Sequence, residues 1–114
     1  MAEDALAARF RPLLEAELVA LRAQSEQTAD DRAPVTLDQQ SVGRLSRMDA
    51  MQAQAMAQAT ERRRLVRIQQ VEAALARLPT GEYGYCGACG EAIAERRLAA
   101  DPAAHLCVGC SRGA

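Results

Sequence analysis

Four cysteines lie near the C-terminal end of the sequence in two CxxC pairs, CGAC from Cys86 to Cys89 and CVGC from Cys107 to Cys110. Two residues between paired cysteines let both sulfurs reach one ion, and four thiolates complete a tetrahedral shell with no open position. A closed shell of this kind is typical of structural zinc. The sequence therefore predicts one zinc ion, bound by these four cysteines, in a small module that depends on the metal to fold.

Other chemistries fit the cysteines less well. Two disulfide bonds would need an oxidising compartment, and a thioredoxin-like redox site would need a βαβ context and only one CxxC pair. His105 lies two residues before Cys107 and is a further candidate ligand. Because four thiolates already complete the shell, we expect His105 to lie at the surface or beside the ligands.

Composition and charge restrict the class of protein. The chain of 114 residues has 14 basic and 15 acidic side chains, a net charge of -1, one Phe, two Tyr and no Trp. Such a balance does not favour non-specific DNA binding, and a chain rich in Ala, Arg and Glu favours helices. The acidic start MAEDALAARF has no long apolar run. It therefore predicts neither a secretory signal nor a membrane span, and we expect a cytoplasmic protein.

Two long helices precede the cysteines. Apolar residues at steps of three and four predict a helix over about 3–27, and Pro34 predicts a tip loop over about 28–37. Asp38 is the expected N-cap of a second helix over about 38–78. The turn residues Pro79 and Gly81 are expected to end this helix. The predicted fold is mainly α, with a long antiparallel helical hairpin (a coiled coil) over 1–80 and a small four-cysteine zinc-finger module over 81–114.

A turn near Pro34 would set the register of this hairpin. Phe10 would then lie near Ala59, and the first helix would cover the second over about 43–64. We interpret a stripe of methionine and alanine as the hairpin core, with a partner-binding groove as the alternative. Its members are Val42, Leu45, Met48, Met51, Ala55, Met56 and Ala59. The zinc module is expected to cover the stripe of Leu65, Ile68, Val71, Leu75 and Leu78 that follows.

The C-terminal motifs resemble those of the DksA/TraR family of transcription factors. The matching elements are Gly84, Tyr85, Cys86, Cys89 and Gly90, then Arg96, Arg97 and Leu98, then Pro102, and finally Leu106, Cys107 and Cys110. The hairpin resembles the family in its layout. The resemblance implies a non-enzymatic protein that binds RNA polymerase rather than DNA. Its hairpin would enter the polymerase secondary channel, and its tip would approach the active site.

The tip departs from the family pattern. Counting back from the cysteines places Gly43, Ser46 and Met48 where the family has its D-x-x-D-x-A arrangement. The resemblance then makes Asp49, beside Ala50, the first candidate for the tip acid and Asp38 the second; an ordinary solvated role for Asp49 is the alternative. The positions through which the family senses ppGpp carry Gln70, Asp101 and Ser111. None of these is cationic, so the sequence does not predict ppGpp binding.

A basic band on the second helix is a candidate contact with an acidic polymerase surface, and a solvated helix face is its alternative. The band consists of Arg62, Arg63, Arg64 and Arg67.

Two other classes of function compete with a polymerase regulator. One is a zinc-ribbon nucleic-acid-binding module with a helical dimerisation arm, and the other is a thiol redox enzyme.

Overall fold

The computed structural model describes residues 3–34 and 44–113. Helix α1 spans Glu3–Gln27, a 3-10 turn spans Ala29–Arg32, and helix α2 spans Arg44–Arg77. Two short helices follow, α3 over Glu95–Ala100 and α4 over Val108–Gly113. Within the described ranges there is no strand; Tyr85 and Ala92 form an isolated antiparallel bridge. The predicted mainly helical fold is confirmed, whereas the predicted start of the second helix at Asp38 falls outside the described residues.

The molecule is a rod with principal extents of 66 × 30 × 19 Å. Helix α2 accounts for most of this length, since its 34 residues span about 51 Å at the usual helical rise. Helix α1 continues through Pro12, which has no N–H to donate to the Ala8 carbonyl. The described helices include none that is long and apolar enough to cross a bilayer.

The buried apolar side chains lie at one end of the rod, which we call the base. There, α1, the last turns of α2 and the cysteine module share one core. Its largest fully buried side chains are Phe10, Leu14, Val71, Leu78 and Leu98. Tyr83 extends this core: its ring lies 6.1 Å from that of Phe10, and its hydroxyl donates to the Pro102 carbonyl at 2.7 Å. The module is therefore packed against both long helices.

The register of the hairpin differs from the prediction. Glu17 pairs with Arg67 and Ser25 donates to Glu61, so α1 packs against the second half of α2. Phe10 is therefore in the base core rather than beside Ala59. The physical reason is that charged and polar pairs far apart in the sequence select the register: they join residues 17–25 to residues 61–67, which places α1 nearer the base than a turn near Pro34 would.

The methionine stripe is not hairpin core. Met48, Met51 and Met56 are 56%, 55% and 64% exposed. In an alanine-rich helix several faces are apolar, so periodicity alone did not determine which face meets α1. The members Val42 and Leu45 lie where side chains are not described. In the second stripe Val71 and Leu78 are buried as expected, but Leu65 remains 48% exposed.

A polar cluster joins the helices where the methionines were expected. The carboxylate of Glu61, in a residue only 9% exposed, accepts from Ser25 at 2.8 Å and from Arg32 at 3.2 Å, and it pairs with Arg64. Burial acts to raise the pKa of Glu61, but these hydrogen bonds and the two guanidinium charges outweigh it and leave the pKa lowered. Gln54 adds a hydrogen bond to the Ala33 carbonyl at 2.6 Å. Polar contacts thus hold the 3-10 turn against α2.

Candidate metal centre and partner surfaces

The two CxxC pairs come together at the base. The sulfurs of Cys86, Cys89, Cys107 and Cys110 all lie within 4.8 Å of one another. The Sγ atoms of Cys89 and Cys107 are 3.8 Å apart. A tetrahedral ion with zinc–sulfur bonds of about 2.3 Å needs sulfurs separated by about 3.8 Å, so sulfurs within 4.8 Å of one another reach one zinc with side-chain shifts of no more than about 1 Å.

Backbone amides turn towards the sulfurs in each pair. The N–H groups of Ala88 and Cys89 point at the Cys86 sulfur at 3.4 and 3.5 Å, and that of Cys110 points at the Cys107 sulfur at 3.4 Å. Gly90 follows the first pair with a φ of +80°, a left-handed conformation that suits glycine. Each pair is therefore a tight knuckle with donors prepared for thiolate sulfur.

The four thiols differ in how readily they lose a proton. Hydrogen bonds from the backbone N–H groups of Cys107 and Cys89 lower the pKa of Cys86 to about 6. Hydrogen bonds with the other three sulfurs raise the pKa of Cys110 to about 12. Four like charges this close repel one another, so a cation is what makes full deprotonation favourable. Zinc, when bound, supplies this charge and closes the module.

The remaining motifs hold the knuckles in place. The N–H of Gly87 in the first knuckle donates to the His105 carbonyl at 2.8 Å, and Nε of Arg97 donates to the Leu106 carbonyl at 2.7 Å. Both acceptors immediately precede Cys107. The side chain of His105 is exposed, as expected for a residue that is not a ligand. Arg97, from the RRL motif, thus orients the second knuckle from α3.

The structure places the candidate tip residues as follows. Asp49 is exposed, and Ala50 lines a hollow of about 540 Å³ between the 3-10 turn and α2, together with Asp30 and Asp31. Asp38 lies outside the described residues. The sequence prediction did not include Asp30 and Asp31 among the tip sites, although it placed both in the tip loop. Their DD pair beside Pro34 was the available signal.

The four arginines of the basic band are not equivalent. Arg62 and Arg63 are exposed, whereas Arg64 is held by the Glu61 cluster. Arg67 contacts Glu17 of α1 and Asp101 of the module. Only the first two therefore present their guanidinium groups to solvent as the prediction required.

Known proteins match this chain both in the sequence of the cysteine module and in the fold of the whole rod. The family model of the prokaryotic dksA/traR C4-type zinc finger matches residues 81–114. The RNA polymerase-binding transcription factor DksA of Haemophilus influenzae is 49% identical over 43 residues, 38% of this chain and 30% of that protein. The factor of the same name from Escherichia coli K12 is 42% identical over 43 residues, 38% of this chain and 28% of that protein. The aligned segment thus spans less than a third of these relatives.

The whole rod resembles a solved structure. Transcription factor DksA2 from Pseudomonas aeruginosa superposes with a TM-score of 0.77 and 26% identity, over 96% of this chain and 82% of that one. The zinc-finger match, the curated relatives and the shared fold together support the DksA/TraR family predicted from the sequence. The four cysteines are accordingly a C4-type zinc finger with one structural zinc.

Proposed function

We propose, from its place in the DksA/TraR family, that this protein regulates transcription by binding RNA polymerase, with its hairpin in the secondary channel and its tip near the active site. The observation that carries the proposal is a rod of 66 × 30 × 19 Å whose apolar core and zinc site lie at one end, in a chain whose relatives are named RNA polymerase-binding transcription factors. The zinc is structural in this proposal, and no catalytic residue is assigned.

The shape and charge of the free end support this docking. Helix α2 is long enough, at about 51 Å, to carry its first turns deep into a pore. Asp30, Asp31 and Asp49 are exposed at this end together with Arg47, so the exposed acids there outnumber the exposed base among the described residues. Carboxylates close to a polymerase active site would act on the charge around its catalytic metal. We propose Asp49, with Ala50 beside it, as the acting pair, and keep Asp38 as the second candidate acid.

The exposed methionines supply a second kind of contact. The stretch MDAMQAQAMAQAT, 48–60, contains Asp49 as its one charged residue. Met48, Met51 and Met56 are all more than half exposed along it. Flexible thioether side chains adapt to irregular apolar surfaces, which suits a helix that must slide along the wall of a channel. The partner-binding groove left open as an alternative thus becomes part of the proposal.

Further from the tip, Arg62 and Arg63 are proposed to contact an acidic polymerase surface. Arg64 and Arg67 belonged to the same predicted band, but their guanidinium groups are held within the chain, and we assign them structural roles. The positions corresponding to the family's ppGpp contacts include Asp101, whose carboxylate pairs with Arg67. An acid there repels phosphate, so we propose that regulation by this protein does not require ppGpp.

A pull-down of the host's core RNA polymerase, followed by in vitro transcription with and without ppGpp, tests the proposal. Wild-type protein is expected to co-elute with polymerase and to change transcript yield equally in both conditions. Asp49→Ala should retain binding and lose the effect on transcription. The matched control is Glu82→Ala, which removes an exposed acid near the base and should behave like wild type.

Two results would contradict the proposal. Failure of zinc-loaded wild-type protein to co-elute would exclude the polymerase as partner, and equal activity of wild-type and Asp49→Ala protein would exclude Asp49 as the acting acid. A salt-dependent gel shift with duplex DNA would favour the nucleic-acid-binding alternative. The module offers it little basic surface, because Arg97 is engaged with Leu106 and Arg96 stands among the exposed acids Glu91 and Glu95.

A further inference from the structure

Arg67 contacts both of the structural units that flank it. Its Nε and Nη2 atoms donate to the two carboxylate oxygens of Glu17 on α1, at 2.6 and 3.0 Å. The same Nη2 lies 2.9 Å from Oδ1 of Asp101 in the cysteine module. One side chain of α2 thus connects the other helix of the hairpin and the module, and we call this set of three residues the clasp.

The geometry of the clasp is that of a strong ion pair. A planar guanidinium fork on a carboxylate gives two parallel hydrogen bonds and a fixed orientation, which lysine cannot reproduce. The side chains of Arg67, Glu17 and Asp101 are 27%, 31% and 44% exposed, so water screens them only in part. The hydrogen bonds to Glu17 also raise the pKa of Arg67 further above its ordinary value, although partial burial opposes this.

The module side of the clasp lies in the segment that leads to the second knuckle. Asp101 ends α3, and its Oδ1 also accepts from the N–H of Ala103 at 3.1 Å. Ala103 and Ala104 are buried, and Pro102 is held by the Tyr83 hydroxyl. The His105 carbonyl that follows binds the first knuckle through Gly87. Residues 102–105, which are held by burial and hydrogen bonds, therefore connect Asp101 to both knuckles.

We infer that Arg67 is a positioning residue: through Glu17 and Asp101 it fixes the orientation of the zinc module relative to the hairpin and limits opening of the second knuckle. Hydrophobic packing at the base is non-directional and permits small rotations, whereas the clasp adds a directional link on one side. The inference deepens the proposed function, because a factor that docks by a rod needs its base held at one angle. Its test uses no polymerase, so the two can fail separately.

The test compares zinc-loaded full-length wild type with Arg67→Met, Arg67→Lys and Asp101→Asn. Residual dipolar couplings of backbone amides give one alignment tensor for residues 44–77 and another for residues 84–110. The two tensors should coincide in wild type. They should diverge in Arg67→Met and Asp101→Asn, with partial recovery in Arg67→Lys, which keeps the charge but loses the fork. A control, Arg9→Met, removes a more exposed ion pair between α1 and Glu95 of α3 and should leave the tensors unchanged.

A second measurement follows zinc transfer to a competing chelator. Loss of the clasp should raise the release rate about fivefold, the scale expected for one partly screened ion pair, and Arg9→Met should not. Coincident tensors and unchanged release in Arg67→Met overturn the inference. If Arg67→Met fails to fold, Asp101→Asn decides: it removes only the module side of the clasp, and wild-type behaviour in that variant overturns the inference equally.

Discussion

Two neighbouring leucines of α1 allow a sharp test of how this helix is placed. Leu14 is fully buried in the base core, whereas Leu13, the next residue along, is 52% exposed. The same substitution, leucine to alanine, can be made at both positions without changing charge or adding a residue of poor helix propensity. Any difference between Leu14→Ala and Leu13→Ala therefore reports which face of α1 is buried.

The expected sizes follow from this exposure. At about 0.8 kcal/mol per buried carbon, removal of the three carbons of the isopropyl group of Leu14 costs roughly 2.4 kcal/mol in transfer alone. The cavity left in a core that α2 and the module also line brings the total to about 3 kcal/mol. At Leu13 about half of the branch is already in water and no closed cavity forms, so the expected cost is below about 1 kcal/mol.

Urea denaturation of zinc-loaded protein, followed by far-UV circular dichroism, measures both values. The dependence of unfolding free energy on urea should be the same for the two variants, and only the midpoint should differ. A difference of about 2 kcal/mol corresponds to a roughly 30-fold change in the folding equilibrium. Equal losses, or a larger loss for Leu13→Ala, would refute the deduced buried face of α1.

Three further predictions concern the metal, the polar cluster and the turns. Cys110→Ser should bind less than one zinc per chain by native mass spectrometry, because a hydroxyl is a poor substitute for thiolate, while the neighbouring exposed Ser111→Ala should bind zinc normally. Glu61→Gln should lower Tm more at roughly pH 7 than at roughly pH 3, because the folded pKa of Glu61 is lowered and its contribution disappears as pH falls through that value; a constant Tm difference would contradict this. Both Gly84→Ala and Gly90→Ala place a side chain at positive φ, at +92° and +80°, and should cost about 1 kcal/mol each from strain. Gly84→Ala should cost more in calorimetry, because its Cβ would lie 3.0 Å from Cδ1 of Leu6, whereas nothing lies within 4 Å at Gly90.

The parts of the fold that depend on local pattern could be predicted from the sequence. The spacing of Leu6, Phe10 and Leu14 indicated α1, and the CxxC spacing indicated the zinc cluster. Both signals arise within a few residues of the chain, because helical periodicity and ligand reach are local properties.

The register of the hairpin could not be predicted in the same way. It depends on pairs such as Ser25 with Glu61 and Glu17 with Arg67, which are distant in sequence. The exposure of Met48 had the same origin, since an alanine-rich helix offers several apolar faces and only the tertiary partner selects one. The contact between Arg67 and Asp101 could not be predicted for a related reason. In the sequence, nothing distinguishes Arg67 from the other three arginines of the basic band.

The placement of the core at one end has a mechanical consequence. Since the buried apolar side chains of the described residues lie at the base, the far end of α2 behaves as the free arm of a lever with its pivot near Phe10 and Leu98. From Val71 in the base core to Arg44, α2 extends about 40 Å, so a tilt of about 5° at the pivot would move its first turn by about 3.5 Å, more than the length of a hydrogen bond. Substitutions in the base core would thus change the position of Asp49 although they make no contact with it.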